Sequence, residues 1–415
     1  MSENIIIIGG GQSGVQLCDS LRTEGYIGAI TLYANETHLP YQRPPLSKDF
    51  IAEGADAVAL PLRAERFFAD RAVDFHPGVS VTSINLGTKT VTLSDETSTS
   101  YTSLVFATGA RNRTLTIEGS KLAGIHYLRT LDDATLLRKE LAQATRTVVV
   151  GAGFIGLEFA AAARQRGLDV TVLEFGPRPM GRVLSEPMSR YFTEAHTRNG
   201  ISMKLGEGIS AFAGDEGGRI TSAIGTSGTE YPADLVLVGV GVIPNDDLAS
   251  AAGIDSDNGI IVNATLQTSN PDVFALGDCA RYPHAQTGTM TRLESVQNAT
   301  DQAKTLAKTL TGYPAIYDSL AWFWSQQGPI KLQIAGITDG HDKSVLRGNL
   351  QANKFSIYCF RDTALVGVES VNSPADHMTA RRVLTNGFPI SPEQIADSSF
   401  DLKSHLKALE MAEQG

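Results

Sequence analysis

A strand, a glycine turn and a helix occur twice in this chain, and that repeat restricts the fold more than any other feature. Asn4-Ile5-Ile6-Ile7-Ile8 is an unbroken apolar run ending in glycines, the pattern of a strand buried on both faces. It leads into Gly9-Gly10-Gly11-Gln12-Ser13-Gly14 and then Val15–Glu24, where Val15, Leu17, Cys18 and Leu21 share a helical face. A second short strand follows at Ala29–Tyr33. The order recurs from Thr147. There the strand is Thr147–Val150 and the turn is Gly151-Ala152-Gly153-Phe154-Ile155-Gly156. An Ala-rich helix covers Leu157–Arg166, and the strand Asp169–Leu173 delivers Glu174.

Each copy is a βαβ unit with G-x-G-x-x-G at the strand-to-helix turn. The first glycine permits a tight turn, the second lets backbone approach a pyrophosphate, and the third lets the helix pack on its strand. The helix N-terminus then offers unpaired N–H groups and a partial positive charge to the phosphates. One such turn could be no more than a glycine-rich loop. Two, each in its full strand–turn–helix–strand context, point to two dinucleotide sites.

The residue ending the second strand of each unit addresses the adenosine ribose. A carboxylate there accepts from the ribose hydroxyls and repels a 2′-phosphate. In the second unit Glu174 lies 18 residues past Gly156, which favours NADH over NADPH. Arg178 and Arg182 nearby keep NADPH open unless they are merely solvated. In the first unit the strand ends at Tyr33-Ala34-Asn35-Glu36, so the ribose partner is Asn35 or Glu36.

Leu104–Ala110 reads as a buried strand ending in a flexible turn at Thr108-Gly109, and Asp272–Asp278 as another ending in an acid. These resemble the A-T-G-A and F-A-x-G-D signatures of two-dinucleotide flavoproteins, in which the aspartate accepts a hydrogen bond from the FAD ribitol. The plainer reading of Asp278 is a helix N-cap before Cys279-Ala280. Ala233–Asn245 reads as the returning strand of the nicotinamide domain, with Gly239 and Gly241 letting a nicotinamide lie close to backbone.

Composition narrows the classes. The chain has 415 residues and a formal net charge of −10, against the basic footprint of nucleic-acid binding. Its three cysteines, Cys18, Cys279 and Cys359, are scattered. They cannot build a four-thiolate cluster or zinc site, and no metal is expected. They suggest a reducing compartment without a disulfide framework. Met1–Asn4 has no basic run, and Ile5–Ile8 is too short for a signal peptide. The apolar run Ala233–Pro244 is too short to span a bilayer. A cytoplasmic protein without a membrane partner is expected, and no feature indicates oligomeric state.

Pro40-Tyr41-Gln42-Arg43-Pro44-Pro45-Leu46-Ser47-Lys48 resembles the P-Y-x-R-P-P-L-S-K segment of oxygenase-coupled NADH–ferredoxin reductases of the putidaredoxin reductase type. Tyr127–Ala134, Arg292–Val296 and Ala321–Ser325 match as well, so the likeness runs through nearly the whole chain in order. It implies an α/β protein with two Rossmann-like dinucleotide-binding domains, glutathione-reductase-like, plus a C-terminal α+β domain. The FAD-binding domain would be discontinuous, 1–112 with 240–318. The NAD-binding domain would be 113–239 and the C-terminal domain 319–415.

The resemblance also implies roles. Lys48 would sit beside the flavin ring, its charge stabilising the reduced form. Glu158 would lie near the nicotinamide and could pair with Lys48. These two are the candidate catalytic residues, unless they are simply a surface lysine and a helix-surface glutamate. Ser13, Val81, Arg129 and Val296 match flavin-contact positions, and Arg43 belongs to the same motif. Trp322 or Trp324 would pack near the isoalloxazine, although a core tryptophan needs no cofactor. With Gly9, Gly11, Gly14, Asn35, Glu36, Thr108, Gly109 and Asp278, these form the expected FAD set. Gly151, Gly153, Phe154, Ile155, Gly156, Glu158, Glu174, Arg182 and Gly241 form the expected NADH set. The family usually has an acid at Asn35, and this departure touches ribose contact rather than FAD binding.

The activity so implied passes a hydride from NADH to FAD, then single electrons to a separate 2Fe–2S ferredoxin feeding a haem monooxygenase or a ring-hydroxylating dioxygenase. A disulfide reductase needs a cysteine near the flavin, and no Cys lies between Cys18 and Cys279. An NADH oxidase, or an NADH-sensing flavoprotein like apoptosis-inducing factor, would carry the same two glycine turns. Such ferredoxins are usually acidic, as this chain is, so docking would need a local basic patch. Arg63, Arg66, Arg71, Lys304 and Lys331 are the candidates, unless they are dispersed solvated charges.

Overall fold

The computed structural model describes residues 3–52 and 60–413. By contact the chain divides into two compact units. One comprises Met1–Gln42, Val58–Arg111 and Val242–Ser319; the other comprises Arg43–Ala57, Asn112–Gly241 and Leu320–Gly415.

The first unit is built on a five-stranded parallel sheet in the order Val273–Ala275, Ser103–Phe106, Asn4–Ile8, Ala29–Ala34, Val73–Pro77. Ile5, Ile6, Ile7, Leu104, Val105 and Phe106 are fully buried, as a strand covered on both faces requires. The order reverses on either side of the Asn4 strand. Open α/β sheets bind ligands at such a switch point, outside the carboxyl ends of the strands. The helix Gln12–Thr23 leaves from that end and packs against Val296–Leu310. It starts three residues earlier than the apolar spacing predicts, because the glycine turn itself supplies the first helical residues.

The second unit repeats the plan. Its parallel sheet runs Ser202–Leu205, Asp169–Glu174, Arg146–Val150, Leu235–Val238, Ile125–His126. The helix Phe154–Gln165 follows the central strand. The expected single strand over Ala233–Asn245 is two. Leu235–Val238 joins this sheet, and Val242–Pro244 belongs to the first unit. Gly241, at φ +101, holds the left-handed conformation that breaks the run.

The same unit contains an antiparallel five-stranded sheet, ordered Trp322–Gln327, Ile330–Gly336, Ala364–Val371, Lys354–Arg361, Lys343–Asn349. Helices Pro374–Asn386, Pro392–Ala396 and Leu402–Glu413 share an apolar core with it around Tyr358, Phe360, Val383 and Leu406. This is the C-terminal α+β element. Among the described residues no helix is long and apolar enough to cross a membrane.

The Tyr127–Ala134 motif acquires a local cause here. Thr130 caps the helix Leu131–Leu141, accepting from Asp133 N, and the Asp133 carboxylate accepts from Thr130 N at 2.8 Å and Arg129 N at 3.0 Å. This capping box fixes the Arg129 backbone, whose carbonyl accepts from Arg43 Nη1 at 2.6 Å. Replacing Thr130 with Ala should cost about 1 kcal/mol of stability, read as a lower urea midpoint with unchanged m-value; Thr130→Asp should restore most of it.

Candidate functional site

The two glycine turns show the same division of labour. At Gly9, φ +122, an added Cβ would sit 2.2 Å from Ala107 O; at Gly14 it would sit 2.0 Å from Gly9 O. At Gly151, φ +102, it would sit 2.4 Å from Gly239 O; at Gly156, 2.2 Å from Gly151 O. The middle glycines, Gly11 and Gly153, have nothing within 4 Å. Packing therefore requires the outer glycines. The middle ones leave a side-chain-free cradle at a helix N-terminus, which fits a pyrophosphate. Neither helix N-cap has a side-chain cap bond.

Around the first turn, Ser13 is buried, and its Oγ lies 2.8 Å from where a Cβ on Gly277 would stand. Gly277 N donates to Gln302 Oε1 at 2.7 Å. Asp278 is not a helix cap: it sits in the single 3-10 turn Gly277–Cys279, which runs straight into the strand Ala280–Pro283. Its carbonyl accepts from Arg292 Nη1. Thr108 Oγ1 donates to Asn245 O at 2.7 Å, and Asn245 Nδ2 returns a bond to Thr108 O at 2.8 Å. This closes the turn at Thr108-Gly109. Asn35 is exposed just past the Ala29–Ala34 strand, while the half-buried Glu36 accepts from Tyr41 Oη. Val81 opens the small antiparallel sheet, and Val296 is the first residue of its helix, behind the Ser295 cap.

At the second turn, Glu174 is the last strand residue. Its carboxylate accepts from Ala152 N at 2.7 Å and Gly176 N at 2.8 Å. The acid that the sequence offers as ribose partner thus braces the glycine turn. Phe154 packs against Phe323 with the rings tilted, centroids 4.5 Å apart, and Ile155 is exposed. Arg182 is exposed, with Nη2 3.7 Å from the Cβ position of Gly241. Arg178 does not serve as a free basic group: its guanidinium donates to Leu184 O and Ser189 Oγ.

Glu158 anchors a buried polar cluster. It is buried one turn into the Phe154–Gln165 helix. Oε2 accepts from Lys48 Nζ at 2.8 Å and Ser47 Oγ at 2.6 Å; Oε1 accepts from Ser325 Oγ at 2.6 Å and Gln326 N at 3.3 Å. Pro44 and Pro45 preset the 3-10 turn Pro44–Ser47, and Lys48 Nζ also donates to Pro44 O. Neither Lys48 nor Glu158 is a plain surface charge. Behind Ser325, Gln327 links to His196 at 2.6 Å, and burial holds that imidazole below its usual pKa. Trp322 lies under Arg381, 4.4 Å from guanidinium carbon to ring centroid, and beside Trp324 and the buried His377.

Sequence patterns do not single out Ser47, Ser325 or Asn245. Ser47 is discoverable as the neighbour of Lys48 in one tight turn. Ser325 ends the Ala321–Ser325 match and Asn245 the Ala233–Asn245 run, but neither segment reveals their partners, which lie more than a hundred residues away. The three cysteines are free and buried. Burial pushes the Cys18 thiol up to about 12 and also raises Cys279 and Cys359, so none is a ready thiolate.

Residues 3–303 match the family model for pyridine nucleotide-disulphide oxidoreductases. The chain belongs to this family. A second model, reductase C-terminal, matches residues 322–406 of this oxidoreductase. FAD and NAD(H) are its cofactors. It is 48% identical to rhodocoxin reductase of Rhodococcus erythropolis over 400 residues, covering 96% of this chain and 93% of that protein. The crystal structure of the ferredoxin reductase for the CYP199A2 system of Rhodopseudomonas palustris superposes with a TM-score of 0.95 at 45% identity, covering 97% of this chain and 100% of that one. The reductase of the covalent putidaredoxin reductase–putidaredoxin complex gives 0.95 at 36% identity, covering 98% and 99%.

The middle and outer glycines should separate experimentally. Gly153→Ala should leave the melting temperature unchanged but raise the KM for NADH about tenfold, a loss of ~1.4 kcal/mol of binding. Gly156→Ala should lower stability instead, because the helix must lift off its strand. Thermal melts and NADH titrations on both variants check this.

Proposed function

We propose that this oxidoreductase carries electrons from NADH to a 2Fe–2S ferredoxin, which supplies a haem monooxygenase or a ring-hydroxylating dioxygenase. The carrying observation is the pair of side-chain-free glycine cradles in a chain whose three thiols are all buried. Two dinucleotides have places, and no redox cysteine stands ready to take the electrons onward. The names of the relatives, rhodocoxin reductase and the reductase bound to putidaredoxin, support a small iron–sulfur protein as acceptor.

FAD, when bound, supplies the chemistry that side chains lack: it accepts a hydride from NADH and releases electrons singly. The protein's part is binding and electrostatics. Backbone amides of the Gly9–Gly14 turn, with Ser13, Thr108 and Asp278, are assigned to FAD. Those of the Gly151–Gly156 turn are assigned to NADH, with Glu174 selecting the unphosphorylated ribose. Lys48 is the cation assigned to offset charge gained on reduction, and Glu158 holds its ammonium in place. Arg43, Arg129, Val81, Val296 and Trp322 complete the FAD assignment; Phe154, Ile155, Arg182 and Gly241 complete the NADH one. The division into FAD, NAD and C-terminal domains belongs to the same proposal.

For docking, Arg63 and Arg71 share Asp19, Arg66 pairs with Asp70, and Lys304 pairs with Asp301. Lys331 is exposed on the strand Ile330–Gly336. Pairing reduces what the first four offer, so Lys331 is the most available positive charge of the five.

Anaerobic addition of NADH should bleach the flavin stoichiometrically, and added ferredoxin should restore its colour and drive rapid cytochrome reduction. A flavin that NADH does not bleach overturns the proposal. Slow bleaching with a long-lived charge-transfer band and no ferredoxin coupling identifies a sensor instead; equal turnover with oxygen alone identifies an oxidase. Lys331→Glu should raise the KM for ferredoxin severalfold at low salt and leave ferricyanide reduction unchanged.

A further inference from the structure

The loop from Gly176 to Ser185 closes on the second glycine turn. Met180 N donates to Ala152 O at 2.9 Å, and Gly176 N is held by Glu174. Met180 adopts φ +51, a left-handed conformation that a non-glycine residue keeps only when its surroundings hold it. Inside the loop, Val183 N and Leu184 N both donate to Met180 O. Arg178 reaches Leu184 O, and Ser189 Oγ returns to Pro179 O. The loop is therefore one stiff piece, and a force on its far end reaches the glycine turn.

That far end is held from the C-terminal sheet. Ser185 N donates to Glu369 Oε1 at 2.7 Å, and Ser185 Oγ donates to Oε2 at 2.5 Å. Thr338 Oγ1 donates to Val183 O at 2.8 Å and reaches Glu369 Oε1 at 3.5 Å. Glu369 is fully buried and Ser185 nearly so. Isolated buried carboxyls are costly. The groups acting on this one are the Ser185 and Thr338 hydroxyls, the Arg178 charge and the Cys359 thiol. On the opposite face of its strand Ser370 bonds Ser356, which also donates to Asp376.

We infer that Glu369 is a positioning residue for the nicotinamide dinucleotide: by pinning Ser185 it sets the loop that shapes the second glycine turn. This rests on the assignment of NADH to that turn. Burial pushes the Glu369 carboxyl up to about 7, and the clamp survives in either form. One oxygen accepts from Ser185 N, and the other accepts from the Ser185 hydroxyl or, when protonated, donates to it. An amide can make the same two bonds.

The test is steady-state kinetics on the flavin-loaded enzyme with NADH and ferricyanide. Glu369→Leu removes both bonds and should raise the KM for NADH about fivefold, with kcat within twofold of the parent and flavin content unchanged. Glu369→Gln should bring KM back to within twofold of the parent. Ser185→Ala, which removes one bond and keeps the buried acid, should raise KM two- to threefold; it stands in if the Leu variant does not fold. An unchanged KM in Ser185→Ala and in a folded Leu variant overturns the inference, as does a Gln variant as impaired as Leu. NADH that fails to bleach the parent flavin is a different result and overturns the site assignment instead.

Discussion

Each nucleotide-binding half depends on one close approach: a helix lies so near its own strand that the third glycine can carry no side chain. The carbonyl oxygens of Gly9 and Gly151 occupy the space where a Cβ on Gly14 or Gly156 would go. With the helix pressed onto the strand, its first turn comes to the carboxyl end of the sheet, where the strand order reverses. The unpaired amides of that turn then face outward at the switch point. Binding geometry follows from packing, because the same contact that buries the helix aims its N-terminus.

A second constraint lies in the unit that carries the second glycine turn. Glu158 is a buried carboxylate with four donors drawn from two distant stretches, Ser47-Lys48 and Ser325-Gln326. Removing one partner of such a pair is costly, about 3–5 kcal/mol when the remaining charge stays buried. Full satisfaction makes the network rigid. It accounts for the company these stretches keep: by contact, Arg43–Ala57 and the C-terminal residues fall in one unit with the helix that bears Glu158. A lysine held this way is a fixed charge, with one proline carbonyl and one carboxylate as its partners.

Much of this is legible in the sequence, and what is not has a common cause. The glycine turns, the strands Asn4–Ile8 and Arg146–Val150 and the strand-terminal Glu174 announce themselves through period and spacing. The Pro44–Lys48 and Tyr127–Ala134 motifs are visible as resemblances, and the structure adds local reasons: a proline-set turn and a capping box. Ala233–Asn245 misleads because an apolar run does not say where it changes sheets; Gly239 and Gly241 stand out in it, but as ligand contacts. Arg178 reads as a cation that keeps NADPH open because its partners, Leu184 O and Ser189 Oγ, depend on the fold of a loop. For Asp278 the cap stays open as the alternative to a flavin contact because the strand that follows it is only four residues long. In each case the deciding partner is tertiary.

As the proposed ribose contact, Glu174 makes cofactor choice harder to alter than its position suggests. A carboxylate offers about four lone-pair sites. Two are engaged by Ala152 N inside the glycine turn and Gly176 N at the start of the next loop. The remaining capacity suits the two hydroxyls of an unphosphorylated ribose. Replacing Glu174 with a small neutral residue would relieve repulsion toward a 2′-phosphate, but it would also release Ala152 and the loop that meets it through Met180. Under the proposed assignment, ribose selection and turn geometry therefore share one side chain. Acceptance of NADPH would require a substitute acceptor for the Ala152 amide as well as a cation for the phosphate, and Arg178 cannot supply the cation while it holds the loop together.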